Sequence, residues 1–341
     1  MPTIIFALNA VVPLILIIAL GYGLKKVNFI TKEFAAIGNK MVFKVLLPIT
    51  LFNNIYSIQS FSSIDWSAVM FAVAGIVAVF ALGFVLVPLF VKKKSQRGAI
   101  VQCLFRSNYA IIGIPLAQMI AGESGRQVAS LLSAFAVPTF NILAVITLSY
   151  FQVEKPSGED AQANEANQVK NQSALKKTLL GIAKNPLIHG VLLGLVAVGV
   201  RSIFVKHGIS FRLSNIKFIY DAVEKLANVT TPLALIVLGA QFEFASFKKD
   251  LVTVIITSVF RNAIIPAVML VIAGVFFNFS PAVIASLVAI FASPVAVSSA
   301  IMAQEMHADA DLARSFVVST TILSAPMLVI IIAVLRALTL V

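Results

Sequence analysis

The sequence predicts an all-helical protein that crosses a membrane ten times, as two inverted repeats of five helices. Of its 341 residues, 60% are hydrophobic and 12% are charged, against about 25% charged in soluble domains, and the mean hydropathy is +0.99. The apolar residues form ten runs, each close to the ~20 residues that span a bilayer. One long polar segment separates the runs into two sets of five. Because five is odd, the second half should enter the membrane inverted relative to the first.

The ten predicted spans follow one another with short polar connections. They cover residues 4–24, 35–56, 66–91, 98–120, 128–151, 186–204, 218–242, 251–277, 282–306 and 312–338. The two halves share the positions of their prolines, which supports the repeat. The matched pairs are Pro13 with Pro186, Pro48 with Pro232, Pro115 with Pro294, and Pro138 with Pro326.

Charge distribution predicts the orientation and excludes some classes of protein. The net charge of +12 is spread between the apolar runs, which indicates membrane topology and argues against nucleic acid as a partner. Lysines and arginines are more frequent after odd-numbered spans, so both termini should lie outside, with the first span retained as a helix in the inner membrane. Residues 152–177 are predicted to form a flexible cytoplasmic linker. The single cysteine, Cys103, excludes a disulfide within the chain.

Two spans carry residues that interrupt a helix near its middle. The fourth contains RSNYAIIGIPL, residues 106–116, and the ninth contains IFASPVAVSSA, residues 290–300. In the ninth, Ser293 and Pro294 are predicted to be the N-cap and first helical residue of a second half-helix. Unwound backbone at membrane depth is tolerated where protein or a watery cavity satisfies it, and two half-helix N-termini that meet there favour an anion. The predicted substrate-binding residues are Arg106, Ser107, Asn108, Gly113, Pro115, Ser293, Pro294 and Ser298.

Charged residues inside the spans are further candidates, and each has a structural alternative. Arg106 is a fixed cation near the site, which attracts the substrate or stands where a relative holds sodium. Its structural alternative is a side chain that snorkels or pairs with a carboxylate such as Glu305. For Arg261, a structural ion pair is favoured over substrate contact. Gln304 and Glu305 form either a cation site or a solvated helix end. Asn108, Gln304, Glu305 and Arg261 are therefore the candidate coupling-ion or charge network, with Na⁺ or H⁺ as the ion and no other cofactor or metal.

Several motifs resemble those of the auxin efflux carrier family, which includes bacterial malate or malonate permeases and the plant PIN proteins. They are the N-x-x-x-x-G-x-P run at residues 108–115, LGYGLKK, KNPLIHGVLLGL, PLALIVLGAQF and ASPVAVSSAIMAQEM. The resemblance covers essentially the whole chain. It implies broken, crossing helices four and nine, as in sodium–proton antiporters and bile-acid symporters, with Asn108, Pro115 and Pro294 at the crossing point.

The same resemblance implies two domains with different roles and an elevator-like movement. Residues 1–61 and 178–245 would form a scaffold domain from helices 1, 2, 6 and 7, and through it a homodimer. Residues 62–151 and 246–341 would form a transport domain. The short linker and Arg106 depart from the plant members, which argues against auxin itself as the substrate.

The predicted function is transport of a small organic anion such as malate, malonate or an auxin-like acid, with no enzymatic activity. Two alternatives are open. A sodium- or proton-coupled cation exchanger or symporter of the same fold would depend most on Glu305, Gln304 and Asn108. A membrane-embedded enzyme or sensor is disfavoured, because the chain has no nucleotide-binding loop and no spaced histidine or cysteine ligands.

Overall fold

The computed structural model describes residues 2–57, 65–152 and 184–341, and within these ranges the regular structure is entirely helical. Most of the linker predicted at residues 152–177 lies outside them. The α-helices are α1 Pro2–Lys26, α2 Lys32–Met41, α3 Leu47–Tyr56, α4 Trp66–Phe90, α5 Lys94–Phe105, α6 Ile114–Phe151, α7 Pro186–Lys206, α8 Lys217–Gln241, α9 Phe244–Lys249, α10 Leu251–Val259, α11 Ile265–Phe276, α12 Pro281–Ala292, α13 Ser298–Glu305 and α14 Ala310–Ala337.

Seven helical stretches in the described part are long and apolar enough to cross a membrane. The chain is therefore a multi-pass membrane protein. The fourth and ninth predicted spans are interrupted, which leaves the 12-residue helices α5 and α12 and the eight-residue helix α13. Such pieces are too short to cross alone. The stretches that qualify are Lys32–Tyr56, Trp66–Phe90, Ile111–Phe151, Pro186–Lys206, Lys217–Gln241, Leu251–Phe276 and Ala310–Ala337.

Proline shapes three of the helices in the same way. Short π-helical turns at Val42–Leu46, Tyr109–Gly113 and Phe260–Ile264 come directly before a helix that carries proline in its first two positions. Those prolines are Pro48, Pro115 and Pro266. Proline lacks an N–H group and collides with the carbonyl four residues earlier. The wider π turn accommodates both effects and turns the side chains that precede each proline.

Two groups of helix contacts position the site, and the groups are joined where α1 packs against α14. In the first, α1 packs against α8, and α3 packs against both α7 and α8. In the second, α6 packs against α12, α4 and α5, while α10 and α13 pack against α14. Glycine permits the closest approach in the first group, because a methyl group at Gly21 would lie 2.2 Å from the carbonyl oxygen of Ile236, and one at Gly239 would lie 2.0 Å from that of Ile18.

The two predicted interruptions are present, and their positions correct the prediction. The helix before Pro115 ends at Phe105, and residues 106–108 are non-helical, so the break lies seven or more residues before the proline. Ser293 is the C-cap of α12, and the next helix begins only at Ser298. The prediction that Ser293 and Pro294 begin a helix is therefore wrong. We call the two breaks, residues 106–108 and 293–297, the crossover.

Candidate functional site

The two breaks of the crossover are bonded to each other through the main chain. The backbone N–H of Asn108 donates to the carbonyl oxygen of Pro294 at 2.8 Å. The backbone N–H of Val295 donates to the Thr320 hydroxyl of α14 at 3.2 Å. These bonds satisfy two donors that the unwound chain would otherwise leave unpaired at a buried position.

Arg106 is the C-cap of α5 and is 2% exposed. Its Nη2 atom donates to Asn141 Oδ1 and to Ser298 Oγ, each at 2.8 Å. On the other side, Nη1 contacts the sulfur of Met302, and the amide of Gln102 completes the network when its oxygen accepts from Nη1 at 3.0 Å. All of these described partners are neutral. Glu305, the carboxylate of the alternative in which Arg106 forms a structural ion pair, instead accepts a hydrogen bond from Asn39 at 2.8 Å.

A cavity of about 300 Å³ opens beside the crossover. Helices α3 and α8 form one wall, and the crossover, with part of α6, forms the other. Among the described residues, the lining contains one cation, Arg106, and no acidic side chain. Its volume is at the lower end of the range for ligand pockets, about 300 to 1,000 Å³. The polar lining residues are Thr50, Asn53, Asn54, Arg106, Ser107, Asn108, Asn141, Asn228, Thr230, Thr231 and Ser298, with the Tyr109 hydroxyl bonded to Ala129.

Four of the eight predicted binding residues line this cavity: Arg106, Ser107, Asn108 and Ser298. Ser107 also donates to the carbonyl of Ala289 at 3.4 Å. Within the described part of the chain, the side-chain amide of Asn108 has no hydrogen-bond partner. That amide therefore faces the cavity with its donor and acceptor available to a ligand.

The other four predicted residues lie outside the lining of this cavity. Gly113 packs against α12, where a methyl group would lie 2.6 Å from the Tyr109 ring and 3.1 Å from the Ala289 carbonyl. Pro115 is exposed at the start of α6. Ser293 and Pro294 are buried and contribute carbonyl oxygens, to Arg261 and Asn108 respectively. None of these four is among the residues that line the cavity.

Arg261 is fully buried behind the crossover, in the π turn before Pro266. Nη2 donates to the Ser293 carbonyl at 2.7 Å and to the Ile290 carbonyl at 3.4 Å, and Nη1 donates to the Leu104 carbonyl at 3.4 Å. The structure therefore shows carbonyl oxygens where the sequence led us to expect a carboxylate partner. These oxygens belong to the C-terminal ends of α5 and α12.

The candidate charge network is not brought together. Gln304 and Glu305 lie at the far end of α13, roughly 10 Å along the helix from Ser298. Gln304 accepts a hydrogen bond from Arg314 at 2.9 Å and lines a separate cavity of about 360 Å³. Glu305 is bonded to Asn39. Asn108 faces the first cavity, while Arg261 lies behind the crossover, so the four residues do not form one site.

The sequence analysis did not identify the cavity wall formed by α3 and α8, or Asn141 as a partner of Arg106. Asn141 lies three residues after Pro138, and Thr50 and Thr230 each lie two residues from the matched prolines Pro48 and Pro232. The Thr50 and Thr230 hydroxyls are 2.8 Å apart. Polar side chains beside a proline in an apolar run were the available signal.

The chain matches a known protein family over almost its whole length. A family model described as "Membrane transport protein" matches residues 6–332. The chain belongs to this family. It is the family of the auxin efflux carriers, so the resemblance found in the sequence motifs is confirmed. The protein is therefore a membrane transporter, from a family of transporters rather than enzymes. No match to the chain is found among curated proteins.

Proposed function

We propose that this membrane transport protein carries small organic anions, carboxylates such as malate, malonate or auxin-like acids, and binds them in the cavity at the crossover. The observation that carries the proposal is the Arg106 guanidinium, which is 2% exposed, lines the cavity and has only neutral partners among the described residues. A buried charge without a counterion is costly. A bound carboxylate would supply the missing counterion.

The surrounding groups favour the same class of ligand. The π turn that leads into α6 and the helix α13 both begin at the crossover, and the first turn of a helix has unpaired N–H groups and a partial positive charge. The amide of Asn108 and the hydroxyl of Ser298 add side-chain hydrogen bonds. No acidic side chain among the described lining residues would repel an anion. A cation exchanger would need such carboxylates, so the cavity favours the organic-anion carrier over that alternative.

The proposed mechanism is an elevator-type alternating access. Ten helices in two inverted repeats would form a scaffold from residues 1–61 and 178–245 and a transport domain from residues 62–151 and 246–341. The location of the cavity supports this division, because α3 and α8 line one wall and the crossover lines the other. Movement of the crossover along α3 and α8 would carry the anion across the inner membrane. Both termini would lie outside, and the scaffold helices would form a homodimer.

The proposal is tested by thermal unfolding of the purified protein with a panel of mono- and dicarboxylates. A ligand that binds the folded state raises stability by RT ln(1 + [L]/Kd), so about 2.7 kcal/mol at 100 times Kd. We expect at least one carboxylate to stabilise the protein, and its uncharged methyl ester to have no effect. Uptake of the same carboxylate into proteoliposomes then measures transport.

Two variants connect this response to the cavity. Arg106→Gln removes the charge and should abolish both stabilisation and uptake. Arg336→Gln removes an exposed charge from the last turn of α14 and should change neither. Carboxylate binding that survives Arg106→Gln would contradict the assigned site, and a wild-type protein that no carboxylate stabilises would contradict the organic-anion function.

A further inference from the structure

Two half-helices end at the crossover, and one side chain outside the cavity lining bonds to carbonyl oxygens at both ends. Helix α5 ends at Phe105 and α12 ends at Ala292. The last turn of a helix has carbonyl oxygens without intrahelical partners, and these oxygens carry a partial negative charge. Two such ends in a buried position need hydrogen-bond donors, and they favour a positively charged one.

Arg261 supplies that partner to both ends at once. Its side chain is 0% exposed. One guanidinium bonds Leu104 near the end of α5, and Ile290 and Ser293 at the end of α12, through three carbonyl oxygens at 2.7 to 3.4 Å. A planar guanidinium with several fixed donors can bond to both helices at the same time. In the described residues it forms no ion pair with a carboxylate.

The chemistry of this arrangement is that of a cation site. In transporters with discontinuous helices, unwound carbonyls and half-helix C-terminal ends coordinate the coupling Na⁺ or H⁺. Here three carbonyl oxygens at such helix ends already accept hydrogen bonds from a positive charge that belongs to the chain, the Arg261 guanidinium. Among the residues whose burial is described, the buried charged side chains are two arginines, Arg106 and Arg261, with no buried aspartate or glutamate that could carry a proton.

We propose that Arg261 is a positioning residue that acts as a built-in cation and takes the place of a coupled sodium ion. This inference rests on the proposed anion-carrier function, whose coupling it specifies. Arg261 holds the C-terminal ends of α5 and α12 together, and so keeps Arg106, one residue beyond α5, directed into the cavity. Anion binding and transport therefore proceed without sodium, and the crossover loses its geometry when the charge of Arg261 is removed.

The test compares wild-type protein, Arg261→Lys and Arg261→Gln in sodium chloride and in potassium chloride. Thermal unfolding measures the effect of sodium alone and the apparent Kd of the most stabilising carboxylate. For the wild type and for Arg261→Lys, which keeps a positive charge, we expect the same Kd in both salts. For Arg261→Gln we expect a Kd raised about tenfold in potassium, with sodium alone stabilising the variant and restoring part of the affinity. Arg336→Gln should resemble the wild type in both salts.

Three results would overturn the proposal: a wild-type protein that binds the anion only in sodium, an Arg261→Gln variant with wild-type Kd, or a raised Kd that sodium does not lower. The first needs no variant, so the proposal stays testable if Arg261→Gln does not fold. A wrong anion-carrier function would be recognised by a different result, because no carboxylate would then stabilise the wild-type protein in either salt. In that case, stabilisation of Arg261→Gln by sodium alone would still support the built-in cation, and its absence would overturn it.

Discussion

The backbone N–H of Asn108 and the carbonyl oxygen of Pro294 are joined by a hydrogen bond of 2.8 Å, across 186 positions of the chain. Because this bond uses only main-chain atoms, a change of the Asn108 side chain leaves it in place. The side-chain amide faces the cavity instead. The structural role of Asn108 can therefore be separated experimentally from its role in binding.

Asn108→Ala should weaken anion binding by about tenfold or more while the amount of folded protein stays unchanged. A hydrogen bond to a charged group contributes about 1.5 to 3 kcal/mol, which corresponds to roughly 10- to 100-fold in affinity. Uptake into proteoliposomes and the thermal shift with the carboxylate measure the effect, and size-exclusion chromatography checks the fold. Normal uptake by this variant would remove Asn108 from the site.

Asn141→Asp should abolish carboxylate binding without unfolding the protein. Asn141 Oδ1 accepts from Arg106 at 2.8 Å, so an aspartate there would pair with the guanidinium and neutralise the charge that the anion needs. Asn141→Leu is the matched control, since it removes the hydrogen bond but leaves the charge, and should retain binding. The carboxylate-dependent thermal shift of each variant is the measurement. Equal binding by Asn141→Asp and the wild type would argue against Arg106 as the anion-binding group.

Ser298→Cys should react with an anionic methanethiosulfonate reagent, and a bound carboxylate should slow the reaction. Ser298 lines the cavity, half-buried beside Arg106. The native Cys103 is 1% exposed and serves as an internal control, because it should stay unlabelled in the folded wild type. Mass spectrometry of the labelled protein counts the modified thiols. A labelling rate that a saturating carboxylate does not change would show that the ligand binds elsewhere.

Gly21→Ala should destabilise the protein by about 1 to 3 kcal/mol, the usual cost of added volume at a close-packed position. The new methyl group would lie 2.2 Å from the Ile236 carbonyl oxygen, so α1 and α8 would have to move apart. Gly23→Ala lies in the same helix with nothing within 4 Å of the added methyl group. That control should be neutral or stabilising by up to ~1 kcal/mol, because alanine is the better helix former. Thermal unfolding of both variants measures the difference, and equal stability would contradict the close packing.

Acid should weaken the start of α4 through Asp65. The Ser67 hydroxyl, followed by the backbone N–H groups of Ala68 and Ser67, bonds the Asp65 carboxylate and lowers its pKa below the ordinary value. A lowered pKa in the folded state means that the stabilisation is complete above the unfolded pKa, about 3.9. It is lost as the pH falls through the folded value.

Two variants of Asp65 separate the stabilisation by the helix cap from the effect of the carboxylate charge. Asp65→Ala should cost about 1 kcal/mol at pH 7, whereas Asp65→Asn should retain most of the cap and remove this part of the pH dependence. Thermal unfolding of the three proteins between pH 7 and about pH 3 is the measurement. A wild-type pH profile that Asp65→Asn reproduces in full would contradict the assignment.

The site was predictable from sequence where the information is local. Arg106, Ser107 and Asn108 lie within the break itself. A cation and an amide in an apolar run that also contains a proline mark a functional position without any knowledge of the fold. Proline alone could not locate the break. The π turn at Tyr109–Gly113 absorbs the clash of Pro115, so the helix is interrupted farther upstream.

The sequence by itself determined the membrane class, the family and the two interrupted spans, because hydropathy and helix-breaking residues act over one or two helical turns. Only the tertiary structure decided which groups meet. Arg261 bonds Leu104 from 157 positions away, Asn141 rather than Glu305 is a partner of Arg106, and α3 and α8 supply the facing wall of the cavity. The physical reason is that a buried polar group must find a hydrogen-bond partner, and the packing of distant helices selects that partner.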